Sequence, residues 1–198
     1  MTYRPVHDAV LRTLRQRRPQ AILDLGCGTG QLLARLADEL APPRLAGCDY
    51  SDGMLTHAAD RLRDASISPI RVGDRSAQPM LVRGDALCLP FASAAFDAIV
   101  STEAFHWFPD QDAALAEAAR VLRRDGTLLL GFVNPPLALI GDVFSLGSRF
   151  LGAPLRWPTP AALRRRVEAA GFSVTAQRRI FRVPGFLLPP VLTEARRL

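Results

Sequence analysis

Asp24, Asp49 and Asp85 each stand at or beside the end of a short apolar run (AILDL, 21–25; RLAGCD, 44–49; MLVRGD, 80–85). The first is followed at once by Gly26-Cys27-Gly28-Thr29-Gly30. A glycine turn that opens into a helix, here QLLARLADEL (31–40), offers free backbone N–H groups and the positive end of the helix dipole to an anionic group. The spacing excludes two common uses of such a turn. A dinucleotide site wants a third glycine three residues after the second, and Gln31 or Leu33 stands there; no Gly-Lys-Ser/Thr follows to grip a triphosphate. Asp24 would also repel a pyrophosphate.

A ligand that carries an ammonium, a carboxylate, a ribose diol and an adenine suits these residues. Asp24 can hold the ammonium, the Gly28–Gly30 amides the carboxylate, and Asp49 both ribose hydroxyls. Asp85 can accept from the adenine amino group while an adjacent backbone amide serves the ring. With a cationic sulfur added, that ligand is S-adenosylmethionine. Burial of the Asp49 carboxylate at a strand end is expected to be unfavourable unless the ligand diol pairs with it.

Methyl transfer is an in-line displacement in which the chain aligns the nucleophile and excludes water, and a base is needed only if the nucleophile keeps its proton. The candidate segment is STEAFHWFPD (101–110). His106 reads either as a base or substrate orienter, or as a histidine bonded within its own loop; Glu103 is the second candidate, and Phe105 and Trp107 are candidate pocket walls. His7 and His57 fall inside helices, as surface or core residues. Cys27, Cys48 and Cys88 lack paired spacing, which argues against a disulfide framework or a metal site.

The elements that must position these residues alternate. Helices are expected at 6–18, 31–40, 51–64, 110–124 and 159–171, strands at 21–25, 44–49, 80–85, 95–101, 127–133 and 172–183, and a loop at 65–79. Strands alternating with helices imply an α/β, doubly wound, mostly parallel Rossmann-like sheet with helices on both faces, in a single domain over 1–198. An N-terminal helix occupies 1–19. Residues 134–158 form an insertion whose apolar residues (Leu137, Ile140, Val143, Phe144, Phe150, Leu151) belong either to the core or to a lid over the acceptor, with Trp157 nearby. The stretch 184–198 reads as an irregular tail, because Pro189-Pro190 argues against a central strand.

With these stretches the chain resembles the class I S-adenosylmethionine-dependent methyltransferases, in the branch of ubiquinone and menaquinone biosynthetic enzymes. The matching pieces are ILDLGCGTG (22–30), GCDYSDGML (47–55), GDALCLPFASAAFDAIVS (84–101) and ARVLRRDGTLLL (119–130), in order. The resemblance implies S-adenosylmethionine as cofactor, held by Asp24, Gly26, Gly28, Gly30, Asp49, Tyr50, Met54, Asp85, Ala86 and Ser101. It also implies a seventh, antiparallel strand, for which nothing convincing follows residue 183.

The 198 residues carry a net charge of +6 and a pI of about 10.4, and every basic residue is Arg. Up to residue 119 there are 12 Arg against 15 acids, beyond it 13 Arg against 4, giving −3 and +9. Such asymmetry keeps an anionic partner in view. Against an RNA-modifying enzyme stands the loop after the fourth strand, which lacks Asn-Pro-Pro-Tyr/Phe. The expected acceptor is a small apolar or aromatic molecule, with peripheral membrane contact open; an RNA methyltransferase or a non-catalytic binding protein are the alternatives. No apolar run reaches the roughly 18–20 residues of a membrane span, and no secretory signal is read, so a cytoplasmic setting is expected.

Overall fold

The computed structural model describes residues 4–64, 70–72, 75–77, 79–133, 156–180 and 190–198. Of the expected insertion and possible lid at 134–158, residues 134–155 lie outside the described residues and 156–158 are described. Helix α1 (Arg4–Arg17) leads into β1 (Ala21–Leu25), α2 (Gln31–Leu40), β2 (Arg44–Asp49) and α3 (Asp52–Asp64). A short antiparallel pair, β3 (Ile70–Val72) with β4 (Arg75–Ala77), precedes β5 (Met80–Arg83) and β6 (Phe96–Thr102). Then come a 3-10 turn (Phe105–Trp107), α4 (Gln111–Val121), β7 (Leu122–Val133), α5 (Pro160–Ala169), β8 (Phe172–Arg179) and β9 (Pro190–Arg197).

The main sheet has seven strands in the order β5-β2-β1-β6-β7-β9-β8. Pairs from β5 through β7 are parallel, and β9 runs antiparallel to both β7 and β8. Helices cover both faces. On one, α1 and α2 press Val10, Leu14, Leu33 and Leu36 onto Ile22, Val100 and Leu129; on the other, α4 and α5 press Leu115, Leu163 and Val167 onto Leu23, Ile99 and Leu128. Adjacent strand residues point to opposite faces. A central strand therefore buries every residue, as β1 does, and reads as a continuous apolar run.

Three expectations need correction. First, residues 190–197 are not an irregular tail but β9, set between β7 and β8. Pro190 is tolerated because it is the first residue of the strand, and its carbonyl accepts from the Ile180 amide at 2.9 Å. Buried Thr193 and Glu194 interrupt the apolar run that would have marked a central strand. Second, α4 stops at Val121, and Leu122 is already extended, paired with Phe96 and fully buried. Third, the expected loop at 65–79 contains β3 and β4, whose three residues each are too few to show an alternation.

Candidate cofactor site at the carboxyl ends of the strands

β1, β2, β5 and β6 end on the same edge of the sheet, where open α/β sheets receive ligands. β1 hands over to a turn in which Gly26 and Cys27 both donate to the Cys48 carbonyl, at 2.8 and 3.1 Å. Gly26 sits at φ +72°, and a Cβ there would come within 2.3 Å of the Ala104 Cβ, so the turn and the residue beyond β6 touch only through a glycine. At Gly28, also with positive φ, a Cβ would meet nothing within 4 Å. The turn is thus open towards a ligand at Gly28 and closed at Gly26.

Asp49 ties this turn to the end of β2. Its Oδ2 accepts from the Gly28 amide at 2.8 Å and its Oδ1 from the Ser51 amide at 2.9 Å. The expectation that only a ligand diol could compensate this carboxylate is corrected: backbone amides already satisfy it, and each oxygen keeps a lone pair for a hydroxyl. Gly84 donates to the Asp49 carbonyl at 3.0 Å, which registers the end of β5 against the same point.

A cavity of about 630 Å³ runs along this edge. Gly26, Gly28, Asp49, Tyr50, Met54, Asp85 and Ala86 line it together with Glu103, Ala104, Trp107, Phe108 and Pro109. Tyr50, Met54 and Trp107 are exposed there. A second hollow of about 220 Å³ shares Gly26, Gly28 and Glu103 with the first and adds His7, Asp24 and Gln31. Asp24 is 1% exposed, and its Oδ2 has no hydrogen-bond partner. Burial, and secondarily the charge of Asp49, pushes its carboxyl up to about 7. Glu103, whose Oε1 is also buried and unpartnered, is pushed up to about 7 by burial.

The remaining expected site residues stand elsewhere. Gly30 turns at φ +74° against Ala58. Ser101 is fully buried in β6, with its Oγ unpartnered. Phe105 is core, its ring 5.5 Å from that of Phe132. His106 is buried and, among the described residues, lines neither hollow. It stacks on Trp157 at 5.3 Å and lies 5.6 Å from the Trp107 ring. Its Nδ1 has no partner, and burial lowers its pKa to about 4.

Two placements around the site are not announced by the sequence. His7 reaches the small hollow from α1; the signal was a histidine in register with Val10, Leu11 and Leu14 on the apolar stripe. Gln111 donates to the carbonyls of Phe105 (3.2 Å) and Arg156 (2.8 Å), and Arg156 donates to the His106 carbonyl at 2.9 Å. The 3-10 turn is thereby stapled to residues 156–157. No sequence spacing announces such a contact.

The strand order, the glycine turn and the acids at three successive strand ends define a class I S-adenosylmethionine-dependent methyltransferase. Residues 23–130 match the methyltransferase domain family, and the chain belongs to it, in its ubiquinone/menaquinone-like branch. It is 31% identical over 179 residues to a demethylmenaquinone methyltransferase of Thermus thermophilus, covering 80% of this chain and 77% of that one. A malonyl-[acyl-carrier protein] O-methyltransferase of Geobacter sulfurreducens is 38% identical over 124 residues, 63% of this chain and 40% of that one. Among solved structures, the YcgJ protein of Bacillus subtilis superposes with a TM-score of 0.79 at 16% identity, over 99% of both chains. Magnesium protoporphyrin IX methyltransferase of Synechocystis with bound S-adenosylhomocysteine gives 0.71 at 21% identity, over 98% of this chain and 82% of that one. S-adenosylmethionine is the cofactor. The cavity volume, the free space at Gly28 and the unpartnered Asp24 Oδ2 all fit it.

Proposed function

We propose that the protein methylates a small apolar or aromatic acceptor, with a quinol the first class to test. The observation that carries this reading is that Ala104, Trp107, Phe108 and Pro109 line the main cavity. Apolar and aromatic walls with few polar groups suit a planar, water-poor ligand. Kinship with proteins named demethylmenaquinone methyltransferase supports the same class.

Asp49 meets the ribose hydroxyls and the Gly26–Gly30 turn the amino-acid end, Met54 and Tyr50 cover the adenine side, and Asp85 with Ala86 meets its edge. Bound S-adenosylmethionine supplies both the activated methyl group and its leaving group. The chain then has to orient the acceptor and keep water out. His106 contributes by position: packed against Trp107 and Trp157, it fixes the aromatic wall, and a ring with a pKa near 4 is a weak base at neutral pH.

The test is transfer of a labelled methyl group from S-adenosylmethionine to a naphthoquinol, a malonyl thioester and an RNA transcript, each offered alone. Label in the quinol is expected. Label in the RNA alone would overturn the reading.

A further inference from the structure

A third hollow, of about 500 Å³, lies at the other edge of the sheet, where β1 and β6 begin and β7 joins them. Arg17 and Arg18 from the end of α1 line it together with Arg123 and Arg124 of β7, and the acids in its lining are Asp97 and Asp125. We propose that this hollow is a ligand site separate from the cofactor cavity, built for a compact soluble polyanion that carries phosphate groups, with a diphosphate as the simplest member of the class.

Both acids are already engaged. Asp97 Oδ2 accepts from the Gln20 and Ala21 amides at 2.9 and 2.8 Å, and its Oδ1 accepts from Arg123 Nη1 at 2.7 Å. Asp125 pairs with Arg196 of β9 at 3.0 Å. That leaves Arg17, Arg18 and Arg124, all exposed, without an ion-pair partner among the described residues. Guanidinium groups that share one concavity repel one another, and an anion that enters it removes the repulsion. Their paired N–H groups match the oxygens of a phosphate, and two linked phosphates can meet more than one arginine at once.

The backbone is shaped to present these charges. Arg18 follows the last residue of α1 at φ +50°, with its amide donating to the Leu14 carbonyl at 2.8 Å. Glycine or asparagine ordinarily ends a helix in this left-handed conformation, and a long side chain is strained there. In β7, residues 123–126 stand between Leu122, paired with Phe96, and Thr127, paired with Ala98, where Asp97 alone stands opposite. A bulge of this kind re-aims side chains, and Arg123 and Arg124 both emerge exposed from it. Pro19 and Ala98 are the apolar side chains of the lining. The hollow therefore lacks the large apolar residues with which a protein surface enters a bilayer, and its concavity suits a small ligand.

The test is calorimetric titration of the full chain with pyrophosphate, inorganic phosphate and phosphatidylglycerol vesicles, at low ionic strength where charge pairing is least screened. Pyrophosphate is expected to bind at one site, more tightly than phosphate, and equally well when S-adenosylhomocysteine fills the cofactor cavity. Arg18→Asn, which keeps a residue suited to left-handed backbone, and Arg124→Gln are each expected to weaken pyrophosphate about tenfold, the scale of one lost charge-assisted hydrogen bond. Neither should lower the melting temperature of the free protein. Arg165→Gln, at an exposed position of α5, removes the same charge elsewhere and should leave the affinity unchanged. Equal weakening in Arg165→Gln would reduce the effect to overall charge and overturn the site. So would competition between pyrophosphate and S-adenosylhomocysteine, absence of pyrophosphate binding, or binding to the vesicles alone.

Discussion

The Asp49 carboxylate accepts the Gly28 amide at 2.8 Å, so the group proposed to meet the ribose also fixes the glycine turn. Asp49→Ala removes both functions at once. Cofactor binding is expected to weaken by about 2–3 kcal/mol, the scale of lost hydrogen bonds to a charged group. Amide exchange in residues 26–30 is expected to quicken in the free variant. Asp49→Asn keeps one accepting oxygen and should lie between. Calorimetry with S-adenosylhomocysteine and hydrogen exchange measure the two effects separately. Unchanged affinity in Asp49→Ala would remove the ribose assignment.

Asp24 makes the free protein sensitive to rising pH. Its carboxyl is lifted from 3.8 to about 7, by burial first and Asp49 second. A carboxyl with a raised pKa contributes stability that is whole below pH 3.8 and is lost as the pH climbs to 7. Asp24→Asn has no such loss. Its melting temperature is expected to exceed that of the wild type increasingly from pH 4 to pH 8, at about 2–4 °C per kcal/mol for a chain of this size. Below pH 4 the two should converge. The same variant should bind S-adenosylhomocysteine more weakly, as active sites commonly exchange stability for binding. Thermal melts across that pH range, with and without the ligand, check both statements.

The candidate cofactor half of the site is legible in the sequence because its pieces are local. Asp24 to Gly30 is one turn, and Asp49 and Asp85 stand at the ends of strands that are themselves visible as apolar runs. The acceptor half is less so. Phe105 and Trp107 are two residues apart, yet one is core and the other 56% exposed on the cavity, because a 3-10 turn rotates them to different sides. The burial of His106 depends on Trp157, fifty-one residues away. β9 is hidden in the sequence for a related reason: its buried Glu194 is balanced by Arg178 from β8 and Thr13 from α1, partners that only the finished fold assembles.

β9 lies inside the sheet, between β7 and β8, so its core residues should matter as much as those of β1. Leu192 is fully buried, paired in register with Gly131 of β7 and Arg178 of β8. Leu192→Ala is expected to cost about 2–5 kcal/mol. Urea unfolding would measure it. A loss below 0.5 kcal/mol would mean that the strand is peripheral to the core.

His106 gives the sharpest contrast between a base and a positioning residue. Its pKa falls from 6.5 to about 4 by burial, so the stability it contributes is whole above pH 6.5 and is lost as the pH falls towards 4. His106→Phe keeps a flat ring between Trp107 and Trp157 and removes the buried, unpartnered Nδ1. The variant should match the wild type at pH 8 and become the more stable of the two as the pH drops below 6.5. Transfer to the accepted substrate at pH 7.5 should stay within about tenfold of wild type, since the aromatic wall is preserved. General-base catalysis is worth roughly a hundredfold or more. A loss of that size, with cofactor affinity and melting temperature unchanged, would return the base role to His106.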